Sequence, residues 1–134
     1  MFCIDASVII SAARRGETDS DQSILFLDTI RKERQRVLLP EIAITEVTSG
    51  LFRATKDAPF SKMFADALRA VPNVICIAVD RRLTDSAVQI ICRTGLRSAD
   101  ALYVALALAY HLTLVTLDRE QLTKGKMIVP TRLP

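Results

Sequence analysis

The chain has 134 residues, half of them apolar and a quarter charged, with a formal net charge of +3. That length suits one domain, spanning 1–134, with one core, and the composition excludes a disordered or fibrous chain. The mild positive charge permits an anionic partner such as nucleic acid without requiring one.

Short apolar runs alternate with helical patterns along the chain. "FCID" (2–5) reads as a buried strand. "SDQSILFLDTIRKERQR" (20–36) reads as a helix, with acids early and bases late as the helix dipole favours. "VLLP" (37–40) is a second strand, and Pro40 stands where a helix start tolerates proline. "EIAITEVTSGLFRAT" (41–55) follows, with Ala43, Val47, Leu51 and Ala54 as its core stripe. "APFSKMFADALRAV" (58–71) continues the helical region, "NVICIAV" (73–79) is the third strand, and "RLTDSAVQIICRTG" (82–95) is a helix closed by Gly95. A helix over 98–111, which Ser98 can cap, leads into "TLVTLD" (113–118) as the fourth strand and "MIVP" (127–130) as a fifth. Strands separated by helices predict an α/β fold of three layers, α/β/α, around a central parallel sheet.

The apolar stretch from Ala101 to Leu117 is broken by His111, Thr113 and Thr116. It is shorter than the ~20 residues of a membrane-spanning helix, so no membrane partner is expected. The N-terminus lacks a basic leader, and Asp5 interrupts its apolar run. The three cysteines, Cys3, Cys76 and Cys92, match neither a disulfide framework nor a zinc site and read as small hydrophobes. Unpaired thiols fit a reducing compartment, and a cytoplasmic protein is expected. Arginine dominates the cations, Arg14, Arg15, Arg93 and Arg97 among them; its fork suits phosphate, though solvated faces account for most such residues.

In a parallel sheet the working site lies beyond the carboxyl ends of the strands. Asp5 stands at the exit of strand one and Asp118 at the exit of strand four. Asp100 opens the helix after Gly95, and Glu46 lies about one turn into the helix after strand two. Each acid has a simpler explanation: Asp5 as a turn former, Asp118 as a cap, Asp100 as dipole decoration, Glu46 as a surface ion pair with Arg53. Four such coincidences on one rim are less economical than one site. Two carboxylates ~4 Å apart repel by about 4 kcal/mol at an effective dielectric of 20. Several such pairs rival the stability of a small domain. The cluster therefore needs a cation or bound protons, with no basic residue evident among the acids, and oxygen-loving Mg²⁺ or Mn²⁺ is the natural partner. Asp80 ends strand three by the same logic, but two arginines and a helix follow it, so it reads as a cap.

The order "IDAS", "LPEIAITEV", "SADALYVALALA", "VTLD" resembles the PIN domain family, specifically the VapC-like toxin ribonucleases. The resemblance implies a Mg²⁺- or Mn²⁺-dependent endoribonuclease, the toxin of a type II toxin–antitoxin pair. It matches the family's four acids to Asp5, Glu46, Asp100 and Asp118, and its hydroxyls to Ser7 and Thr116. Asp5, Asp100 and Asp118 are then metal ligands. Glu46 completes the shell or orients the attacking water. Ser7 and Thr116 hold the carboxylates from behind, and strand parity puts Thr116 on the face of Asp118. The implied partners are an RNA substrate, a small antitoxin and a second copy of the chain. The helical region Glu41–Val71, with Leu51, Phe52, Phe60, Met63, Phe64 and Leu68, is the expected docking surface. A non-toxin PIN nuclease, an RNA-binding protein of the same fold, or a phosphoacceptor module centred on Asp80 are the alternatives. The residues alone do not separate RNA from DNA.

Overall fold

The computed structural model describes every residue except 15 and 17, so Arg15 lies outside the described residues. Five strands form one parallel sheet: β1 (Phe2–Ile4), β2 (Val37–Pro40), β3 (Val74–Ile77), β4 (Thr113–Val115) and β5 (Thr131–Arg132), in the order β3-β2-β1-β4-β5. Phe2 pairs with Val37 on one side and Thr113 on the other, which makes β1 the central strand. Seven helices among the described residues cover the sheet: α1 (Ala6–Ala13), α2 (Ser20–Lys32), α3 (Ile42–Thr55), α4 (Ala58–Ala70), α5 (Arg81–Thr94), α6 (Ser98–Ala109) and α7 (Arg119–Gly125).

The chain runs outward from β1 through β2 to β3, then returns across the sheet to β4 and β5. Right-handed crossovers therefore put α1 to α4 on one face and α5 to α7 on the other, giving the expected three layers. The direction of travel reverses between β1 and β4, and a cleft opens there beyond the carboxyl ends of the strands.

Burial follows this plan. Helix α6 packs over β1, β2 and β4 and against α5, and is apolar nearly all round. Its residues Ala101 and Tyr103 to Ala107 are buried. On the opposite face, Ala43, Val47 and Leu51 of α3 are fully enclosed. A Cβ on Gly50 would come within 2.5 Å of Ile10 Cδ1, so the bare glycine lets α3 approach α1 closely.

Several expectations need correction. Ala54 is exposed rather than part of the α3 stripe. The helix expected over 20–36 stops at Lys32, and Arg34 adopts a left-handed φ of 52°. Pro40 ends β2 instead of starting α3; as the last strand residue it forfeits little by lacking an N–H. Helices α1 (Ala6–Ala13) and α7 (Arg119–Gly125) lie in stretches to which the sequence pattern assigned no element. The fifth strand is Thr131–Arg132, not 127–130. Ser98 does not cap α6, because its N-cap is Arg97 with no side-chain bond. Cys3 is buried in β1, whereas Cys92 is exposed on α5. Asp80 is a cap: its carboxylate accepts from the Leu83 amide at 2.9 Å. Among the described residues no helix is long and apolar enough to cross a membrane.

Candidate active site

The four acids reach the cleft from four elements. Asp5 is the first residue beyond β1 and the N-cap of α1. Glu46 lies just past the first turn of α3, Asp100 in the first turn of α6, and Asp118 is the N-cap of α7. All four line one open cleft of about 670 Å³, together with Ser7, Ser49, Arg53 and Arg97. A capping role holds at two of these residues: Asp5 accepts from the Ser7 amide at 3.0 Å, and Asp118 from the Gln121 amide at 2.8 Å. Each cap leaves carboxylate capacity facing the cleft.

Asp5 is 6% exposed and the most tightly held. The Ser7 hydroxyl donates to its Oδ2, and the Thr116 hydroxyl donates to the same oxygen at 3.3 Å. Those hydroxyls also accept: Ser7 Oγ from the Leu117 amide at 3.1 Å, Thr116 Oγ1 from the Asp118 amide at 2.9 Å. The two side chains thus tie the exit of β1 to the exit of β4. Thr116 reaches Asp118 through its backbone, beyond the end of β4 at Val115, and not across a shared strand face.

Glu46 has no ion pair with Arg53; the Arg53 Nε instead donates to the Ser49 carbonyl at 3.3 Å. Its Oε2 accepts from the Tyr103 hydroxyl at 2.7 Å. Tyr103 is fully buried, and burial keeps its phenol protonated far beyond the usual range, so it acts only as a donor to Glu46.

Burial raises the carboxyl of Asp5 above the ordinary range, opposed by its bonds from Ser7 and Thr116, with the charge of Asp118 adding to the rise. Burial likewise raises Glu46, against the Tyr103 bond, and the charges of Asp5 and Asp100 push it further. Asp100 rises through burial and then the charge of Asp118, with Arg97 opposing. The acids feel one another, as sequence spacing predicted. Contrary to that reading, a base is built in among them. Arg97 donates from Nε to Asp100 Oδ2 at 3.2 Å and from Nη2 to Asp118 Oδ2 at 3.1 Å.

Arg97 and Tyr103 are the two participants that sequence reading missed. They stand three residues before and three after Asp100, and helical spacing puts such residues on one face.

The donor set is oxygen-only, acidic, partly buried and strained by like charge, which fits a hard dication. Among the described residues no three His, Cys, Asp or Glu side chains are gathered closely enough to hold an ion as they stand. Arg97 holds one oxygen of each of two of them.

The sequence model of the PIN domain matches residues 2–126. No curated protein matches the sequence significantly. Among solved structures, the chain is similar to VapC20 of Mycobacterium tuberculosis, described as a toxin that cleaves the sarcin–ricin loop, with TM-score 0.80, 16% identity and coverage of 93% of this chain and 95% of that one. It is also similar to VapBC2 of Rickettsia felis bound to a promoter DNA fragment, with TM-score 0.73, 16% identity and coverage of 99% and 98%. A toxin–antitoxin complex from Klebsiella pneumoniae is similar at TM-score 0.62 and 17% identity, covering 88% and 87%. At these identities the likeness is one of fold.

Proposed function

The chain belongs to the PIN domain family, and on that premise we propose that it is a Mg²⁺- or Mn²⁺-dependent endoribonuclease, the toxin of a type II toxin–antitoxin pair. The observation that carries the nuclease reading is the lining of one cleft by Asp5, Glu46, Asp100 and Asp118, with three of the four carboxyls raised. Support for the toxin role comes from the neighbours described as toxins or toxin–antitoxin complexes.

Asp5, Asp100 and Asp118 would hold the dication. When bound, it supplies Lewis-acid polarisation of the scissile phosphate and neutralises charge that the acids otherwise share. The remaining work falls to the chain. Ser7 and Thr116 fix the Asp5 carboxylate in one orientation. Glu46 takes the proton of the attacking water, and its raised carboxyl brings it nearer the operating pH of a general base. Tyr103 anchors one Glu46 oxygen and leaves the other for that proton. In-line attack forms the new bond from the water oxygen to phosphorus and breaks P–O3′; the departing 3′-oxygen takes a proton from solvent, leaving a 3′-hydroxyl and a 5′-phosphate.

The antitoxin is expected at the helical region Glu41–Val71. Leu51 is buried and drops out, while Phe52 and Met63 are exposed. Phe64 and Leu68 line an apolar groove of about 270 Å³ with Ile9 and Leu27. A homodimer would cover a further part of the same apolar surface, and the protein would act in the cytoplasm.

The test is cleavage of end-labelled structured RNA. Cleavage should require Mg²⁺ or Mn²⁺, stop on chelation, and fall by at least about a hundredfold in Asp5→Asn and Glu46→Gln. Cleavage that survives chelation would overturn the assignment.

A further inference from the structure

Resting on the nuclease reading above, we propose that Arg97 is a built-in placeholder for the dication: its guanidinium occupies the carboxylate oxygens the ion needs, must swing out when the ion binds, and is then free to take a phosphate oxygen of the RNA.

The geometry carries the first half. The fork spans Asp100 Oδ2 at 3.2 Å and Asp118 Oδ2 at 3.1 Å. Those carboxylates belong to different helices, α6 and α7, and nothing in the sequence forces a cation between them. A guanidinium satisfies two like charges by planar, directional N–H donation; a dication satisfies them by direct coordination. A guanidinium and a dication held on the same two carboxylates repel each other, so loading the ion weakens the arginine's bonds.

The surroundings carry the second half. The side chain of Arg97 is 69% exposed, while its partners Asp100 and Asp118 are 14% and 28% exposed. The base is thus the accessible partner and the acids the enclosed ones. A third acid, Glu120, sits 4.0 Å from Nε and is already bonded to Lys124, which offers a resting contact at the rim for the displaced fork. Arg97 lines the same cleft as the four acids, so a guanidinium released there stays beside the bound substrate. Arginine is the side chain best matched to two phosphate oxygens.

The two halves make opposite predictions for one substitution. Arg97→Gln should bind Mn²⁺ about two- to fivefold more tightly by isothermal titration, the range of exposed ion pairs removed from competition. With Ca²⁺ present to occupy the site without turnover, the same variant should bind fluorescein-labelled single-stranded RNA about fivefold more weakly by anisotropy. Because Arg97 is exposed, the variant should melt within a few degrees of the wild type. Mn²⁺ affinity that is unchanged or weaker in Arg97→Gln overturns the placeholder. Tighter Mn²⁺ with unchanged RNA binding overturns the phosphate contact. No Mn²⁺ binding by the wild type overturns both this inference and the metal-dependent nuclease on which it rests.

Discussion

At the scale of single residues, the site is organised around two hydrogen-bonded carboxylates of different character. Asp5 is buried and held by two hydroxyls, whereas Glu46 is half-buried and held by one phenol. The Tyr103 bond favours the charged form of Glu46 and so lowers its pKa against burial. Tyr103→Phe removes that bond, and the Glu46 carboxyl rises further. If Glu46 is the general base, the acid limb of the kcat against pH profile should move to higher pH, with a stability loss of about 1 kcal/mol. An unmoved acid limb would take Glu46 out of proton transfer. The convergence of the four acids on one cleft was legible in the sequence because Asp5, Asp100 and Asp118 sit at a strand exit or helix start and Glu46 about one turn into a helix, at the rim where an α/β fold places its ligands. Tyr103 and Arg97 were not, although their spacing from Asp100 was in plain view. Deciding that they mattered required knowing which face of α6 looks into the cleft, and a helix that is apolar nearly all round does not announce a face.

Among elements, the comparison of two caps separates structure from chemistry. Asp80 caps α5 and Asp118 caps α7, each by accepting one backbone amide at 2.9 and 2.8 Å. Alanine at either position should cost about 0.5–2 kcal/mol by thermal or urea melting. Only Asp118→Ala should also abolish RNA cleavage. Equal activity in the two variants would leave Asp118 as a cap alone. The elements the sequence pattern left unassigned or misplaced, α1, α7 and β5, share one feature, brevity. Helix α1 spans "ASVIISAA", a short apolar run in which strand and buried helix look alike. What decides for helix is Asp5, whose side chain caps the first turn. Helix α7 has seven residues, too few for a periodic stripe. The apolar run at 127–130 suggested a strand, yet the ladder forms at Leu114 with Thr131 and Val115 with Arg132. The longer helices α3, α4, α5 and α6 were readable within one or two residues, because each carries two or more turns of consistent burial or a clear stop such as Gly95, left-handed at φ 66°.

For the whole molecule, the alternation of strands and helices predicted a parallel sheet, but not its order. The sequence places no mark on β1 that says it will be central; that follows from β4 returning to its free edge. This return closes the site, since it sets the exit of β4 beside the exit of β1. The assembled acids have a thermodynamic consequence. Asp5, Glu46 and Asp100 all have carboxyls raised by burial and mutual charge. Just above the ordinary carboxylate range, the folded chain therefore binds more protons than the unfolded chain. Stability must then fall as pH rises through that window to the raised values. Without metal, the protein should melt at a higher temperature at mildly acidic pH than at neutral pH, until other carboxylates are protonated. A saturating dication should remove the difference by supplying the missing charge, adding about 2.7 kcal/mol at a hundredfold excess over Kd. A melting temperature that climbs steadily from mildly acidic to neutral pH without metal would mean that these carboxyls are not raised.

The most direct test of the account is anomalous diffraction at the manganese edge from crystals soaked in MnCl₂. The account predicts a peak in the cleft, held by carboxylate oxygens of Asp5, Asp100 and Asp118, with the Arg97 guanidinium turned out toward Glu120. A peak elsewhere, or a cleft without one at saturating Mn²⁺ and with Arg97 still bridging Asp100 and Asp118, would contradict it.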